Sequence, residues 1–222
     1  MKKNENKSLL GAKKGSVLFS IAFTFVLPIC TLFSPLPLLI FNILYFPFTL
    51  AHELGHFFVI DLVLPSLNPH LEFRLSNGEF FCACITTNEF PHCWQSIFAM
   101  FAGSTSVIIL AILGNLSLFR MKSWSFNDTG MYYLTFGLLA DLPNLLPILP
   151  SSLGFVNDGF AINSYLYQMG YSFSPSNNLS FLFSIISILM VLTSFFFLGL
   201  FLSHLGELLV SKIEKEEIDE SI

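Results

Sequence analysis

Two histidines four positions apart, His52 and His56, with a glutamate beside the first, Glu53, are the residues in this chain whose types and spacing best suit chemistry. Side chains at i and i+4 leave a helix on nearly one face, so both imidazoles can offer a ring nitrogen to one metal ion, while the adjacent carboxylate reaches a water beside that ion. Such a set can polarise a bond and move a proton. The five residues His52-Glu53-Leu54-Gly55-His56 lie inside an apolar stretch long enough to cross a membrane. Ionisable groups at that depth are costly unless they are paired, ligated or facing water, so three of them within five positions read as a site.

A catalytic zinc usually takes three protein ligands and keeps a fourth position open. The third must come from elsewhere in the chain. Asp158 is the best placed: it carries the only negative charge between residues 142 and 206, and it lies in a segment interrupted by Pro143, Pro147, Pro150, Gly154 and Asn157-Asp158-Gly159. A break of that kind survives at membrane depth only where it is buried in protein or lines an aqueous cavity. Asp141 is the rival, one turn before the break, either as a ligand or as a residue that holds a ligand in place. Asp61, nine residues after His52, lies about 180° round the helix and points away. Helix capping would explain Asp158 as well, and both roles are compatible.

The elements that must position these residues are membrane-spanning helices. Of 222 residues 54% are hydrophobic and only 11% charged, with a mean hydropathy of +0.70 and 27 phenylalanines, which excludes an ordinary soluble domain. The expected fold is an all-α membrane protein of about five spans, over about 15–33, 38–64, 94–119, a broken 131–170, and 179–203. Residues 1–14 form a basic tail, 15–205 one membrane bundle, and 206–222 an acidic tail. Pro47, five residues before His52, predicts a kink just above the histidines. Leu71 to Leu75 and Glu79 to Ile85 alternate partly about an Asn77-Gly78 turn signal, which predicts a β-hairpin over about 70–87. Its edge could accept an extended peptide by main-chain pairing, or could serve packing alone.

Five of the ten basic residues, Lys2, Lys3, Lys7, Lys13 and Lys14, precede the first span. The positive-inside tendency therefore places the N-terminus in the cytoplasm, makes the hairpin cytoplasmic, and puts the histidines roughly 12 Å inside the cytoplasmic end of their helix. The lysine-rich start and the compact bundle fit a bacterial inner membrane, with the first span retained as an anchor. No basic patch with interleaved aromatics supports nucleic-acid binding. Cys82 and Cys84, with His92 and Cys93 nearby, have a spacing that matches no common zinc module and read as reduced thiols.

His52-Glu53-Leu54-Gly55-His56 in the second span, followed about a hundred residues later by Asn144-Leu145-Leu146-Pro147 and Asn157-Asp158-Gly159, resembles the site-2 protease family of intramembrane zinc metallopeptidases. The resemblance covers about residues 38–170, and Ala102-Gly103-Ser104 is similar to the small-residue motif of that family's third core helix. It implies zinc held by His52, His56 and Asp158, Glu53 as general base and acid, Asn144 positioning a substrate strand, and a transmembrane protein as substrate within the lipid bilayer. Two other classes compete: an inactive protease-like scaffold that binds a membrane partner, and a metal transporter. One zinc-carrier family also bears a His-Glu-x-x-His helix, but there the Asp-Gly helix precedes it and a further glutamate follows the second histidine, where this chain has Phe57.

Overall fold

The computed structural model describes residues 2–31, 33–34, 36–76, 79–120, 124–146, 158–171 and 177–220. Its elements in chain order are α1 (Lys2–Thr31), α2 (Leu36–Val63), a 3-10 turn (Pro65–Leu67), β1 (His70–Ser76), β2 (Glu79–Ile85), α3 (Trp94–Arg120), α4 (Trp124–Asp141), a 3-10 turn (Leu142–Leu145), α5 (Asp158–Gln168) and α6 (Asn177–Glu220). Four of these helices, α1, α2, α3 and α6, are long and apolar enough to cross a membrane. Many of their large apolar side chains face outward, with Leu62 at 80% and Phe119 at 84% exposed, the arrangement a lipid solvent favours.

The fourth expected span is divided. Helix α4 starts at Trp124 rather than near 131 and ends at Asp141, where Pro143 enters the following 3-10 turn; the chain is helical again from Asp158. Proline lacks the amide and crowds the preceding turn, so a regular helix stops there. The segment between the two halves, with Pro147, Pro150, Gly154 and Asn157, lies outside the described residues. Helix α1 runs through the basic tail and α6 through the acidic one. Neither Gly nor Pro follows Gly206 before the chain end, so nothing in that segment interrupts helix propagation.

Helix α1 divides its contacts between α2 and α6 unequally, packing mainly along α6. Ser16, Ser20 and Thr24, four residues apart and buried, form one face of α1, and a Cβ at Gly199 of α6 would come within 2.8 Å of Ser20 Cα. Small residues let two membrane helices approach closely, and polar hydroxyls then bond within or across the interface. Ser16 donates to Glu207 Oε1 at 2.9 Å, and Ser203 to Ser16 at 3.0 Å. His204, which lies near Glu207 in sequence, meets the Tyr132 ring instead at 5.2 Å.

The centre of the bundle is aromatic. Phe48, Val107, Phe136 and Leu198, from α2, α3, α4 and α6, are fully buried and packed together, and Phe48 occupies the space beside Gly137 where a Cβ would stand. Two turns further along α2, Gly55 faces the Ala102 carbonyl of α3 so closely that a Cβ would collide with it. The Ser106 hydroxyl donates to the Ala51 carbonyl across the same seam. The close α2 to α3 seam thus runs through the His-Glu-Leu-Gly-His segment.

The hairpin forms in antiparallel register, with Leu71 opposite Cys84 and Phe73 opposite Cys82. Its Asn77-Gly78 turn lies outside the described residues. Both ends are tied down: Thr87 donates its amide and hydroxyl to the Leu67 carbonyl, and Asn88 donates to Ser66. Strand β2 lies against α2, which brings a strand edge to the histidine helix.

Candidate metal centre

Helix α2 presents His52 and His56 from successive turns, with 8% and 7% of their surfaces exposed. Asp158, the first residue of α5, comes in from the far side of the broken segment. The three converge. His52 Nε2 lies 2.9 Å from His56 Nε2, and Asp158 Oδ2 lies 3.0 Å from the first and 3.4 Å from the second. Of the described residues, these form the one group of three or more His, Cys, Asp or Glu side chains placed to share a metal ion. Cys82, Cys84, His92 and Cys93 form no such group there.

Proton positions follow from the other ring nitrogens. His56 Nδ1 is 2.7 Å from the Ala99 carbonyl, and a carbonyl can only accept, so Nδ1 carries the hydrogen. His52 Nδ1 is 2.9 Å from Asp141 Oδ1, and a carboxylate accepts there in the same way. With neutral rings both Nε2 atoms then bear lone pairs aimed at one another and at a carboxylate oxygen, an arrangement that repels unless a cation stands between them. Asp158 Oδ2 is buried within 3.4 Å of both nitrogens, and with both ring hydrogens on Nδ1 neither neutral imidazole has one to donate to it. A tetrahedral zinc with bonds of about 2.0 to 2.1 Å needs ligand atoms about 3.3 Å apart, close to the spacings found. The donor set fits a zinc ion.

The surroundings fit one too. The cavity, about 380 Å³, is lined by Glu53, Asp141 and Asp158 together with the two histidines, and among the described residues no lysine or arginine lines it. Three carboxylates in a cleft without a fixed cation favour a divalent ion over an empty site. Two glycines make the convergence possible. A Cβ at Gly103 of α3 would stand 2.5 Å from both Nε2 atoms, inside the space the ligands share, and one at Gly159 would stand 2.5 Å from the Leu146 carbonyl carbon. The glycine after Asp158 therefore lets residues 145 and 146 pass over the start of α5.

Glu53 leaves α2 beside His52 and lines the same cavity, where its Oε2 accepts the Cys84 amide of β2 at 2.8 Å. Asn144, in the 3-10 turn after α4, also lines the cavity and donates to Asp141 Oδ1 at 3.4 Å. Asp61 is exposed on the opposite side of α2. Sequence reasoning passed over three participants: the Cys84 amide, the Ala99 carbonyl and Tyr45, whose hydroxyl donates to Asp141 at 3.1 Å. The first two are backbone groups, which every residue carries. Tyr45 was detectable only as a polar aromatic seven residues, or two turns, before His52.

The thiols near the cavity differ in character. Burial, then the Glu53 charge and Cys82, push the Cys84 thiol up to about 11. At Cys93, just before α3, desolvation is outweighed by hydrogen bonds with the Ser96 hydroxyl and the Ser96 and Gln95 amides, which hold the thiol below its ordinary range.

Comparison of the chain with protein-family models, with curated proteins and with solved structures returned no match.

Two outcomes follow from this geometry. Gly103→Ala places a methyl among the ligand atoms, so the purified variant should retain its helical content and lose bound zinc, as measured by circular dichroism and elemental analysis; full zinc content in that variant would contradict the site. Alkylation at about pH 8, followed by mass spectrometry, should modify Cys93 before Cys84, because the thiolate is the reactive form and Cys93 holds a larger share of it than Cys84 does.

Proposed function

We propose that this protein is an intramembrane zinc metalloprotease that hydrolyses a peptide bond in or near a transmembrane segment of another membrane protein. The observation that carries the reading is the convergence of His52 Nε2, His56 Nε2 and Asp158 Oδ2 beside Glu53, inside a bundle with four helices of membrane-spanning length. The sequence motifs that resemble the site-2 protease family fall on these same residues.

When bound, zinc supplies Lewis-acid polarisation of the scissile carbonyl and acidifies a water to a pKa of about 7. The remaining work belongs to the chain. His52, His56 and Asp158 provide two neutral nitrogens and one negative oxygen, leaving room for reactants on the cavity side. Glu53, with Oε2 held by the Cys84 amide, keeps its carboxylate turned into the cavity, where it takes a proton from the attacking water and later delivers it to the leaving amine. Asn144 lies at the cavity wall, in position to hold a substrate main chain beside it. The substrate segment must unwind locally, because a helix hides its carbonyls in hydrogen bonds. The orientation follows from the lysines of α1, with the N-terminus in the cytoplasm and a bacterial inner membrane as the compartment.

Replacing Glu53 by glutamine separates catalysis from metal binding. In cells expressing either form, membrane-protein fragments with new termini inside transmembrane segments should accumulate with the wild type. In the variant their rate of formation should fall about 10²- to 10⁴-fold while zinc content stays at the wild-type level. Equal fragment formation by both forms would reject the protease reading.

A further inference from the structure

Asp141 is the most buried acidic residue among those described, 1% exposed, and it closes α4 directly behind the metal centre. Its two oxygens are used unequally. Oδ1 accepts from His52 Nδ1 at 2.9 Å, from the Tyr45 hydroxyl at 3.1 Å and from Asn144 Nδ2 at 3.4 Å, whereas Oδ2 is buried without a hydrogen-bond partner among the described residues. Burying a carboxylate and leaving one oxygen unsatisfied is costly, so stability alone gives little reason for this residue.

The geometry points to Asp141 as the positioning residue of the metal centre: it fixes the hydrogen of His52 on Nδ1 and holds the ring so that Nε2 meets His56 and Asp158. This inference rests on the metal-centre reading above and deepens it. Asp141 is not a ligand in this arrangement, because it touches the ring nitrogen opposite the one that faces the shared point. Tyr45 and His52, two turns apart on α2, both reach the same oxygen, so the carboxylate is clamped from α2 while it directs a side chain of α2. The second ligand is supported differently, since His56 leans on the Ala99 carbonyl, an uncharged acceptor. A carboxylate behind an imidazole makes its far nitrogen a stronger donor than a carbonyl does. His52 is therefore the stronger of the two histidine ligands, and its strength depends on α4.

The test uses the full chain purified in detergent, as wild type, Asp141→Ala, Asp141→Asn and Asp158→Ala, with two readouts that need no substrate. Zinc affinity is measured by competition with a chelator, and coordination by the visible spectrum of cobalt(II) substituted for zinc. Asp141→Ala should bind zinc about 10- to 100-fold more weakly than the wild type and shift the cobalt bands, yet still bind; Asp158→Ala should lose the tetrahedral cobalt spectrum. Asp141→Asn keeps the volume and removes the charge, so it decides by the same readouts if Asp141→Ala does not fold. Affinity within about twofold of wild type and an unchanged cobalt spectrum would overturn the inference and leave Asp141 a packing residue. Losses equal to those of Asp158→Ala would overturn it in favour of direct ligation. A folded wild type that takes up neither metal would instead reject the metal centre itself.

Discussion

Two imidazole lone pairs and a carboxylate oxygen, all within 3.4 Å of one another and shielded from water, repel in the absence of a cation. Much of the structure around them can be read as the means of keeping that convergence in place. Gly55 lets α2 and α3 approach, Gly103 leaves the shared space clear, and Gly159 lets the chain cross the start of α5. The close helix contacts, the broken fourth segment and the buried acidic residues meet at one point. A membrane-embedded bundle has no hydrophobic drive between its helices, so the small residues along these seams matter more than they would in water.

The proposed base is tied to a different element. Glu53 is held by the Cys84 amide, so the hairpin between α2 and α3 is attached to the site rather than appended to the bundle. Movement of β2 relative to α2 changes the setting of that carboxylate. The thiols follow the same partition, with Cys84 suppressed by burial and by Glu53, and Cys93 favoured by the amides at the start of α3.

Much of this was legible in the chain, for identifiable reasons. His52 and His56 are four apart on one helix, so their shared face follows from helical geometry alone. The hairpin was marked by partial alternation around Asn77-Gly78, and the division of the fourth segment by three prolines. Long apolar runs gave the helices, although not their full lengths, because the polar end of α6 carries no breaker to stop it and α1 continues through Gly11 and Gly15 into its polar start. What the sequence left open was tertiary. The side of His52 on which Asp141 stands depends on a contact 89 residues away, and the preference of α1 for α6 over α2 depends on which faces of three helices carry serine and glycine. The Ala99 carbonyl and the Cys84 amide are main-chain groups with no residue signature.

The central claim is that a zinc ion sits among His52, His56 and Asp158. X-ray absorption at the zinc edge, on protein purified without added metal, tests it directly together with the zinc content of the same sample. The account predicts about one zinc per chain in a shell of nitrogen and oxygen only, with two imidazoles at about 2.0 to 2.1 Å. A folded protein without zinc, or a shell containing sulfur at about 2.3 Å, would contradict it.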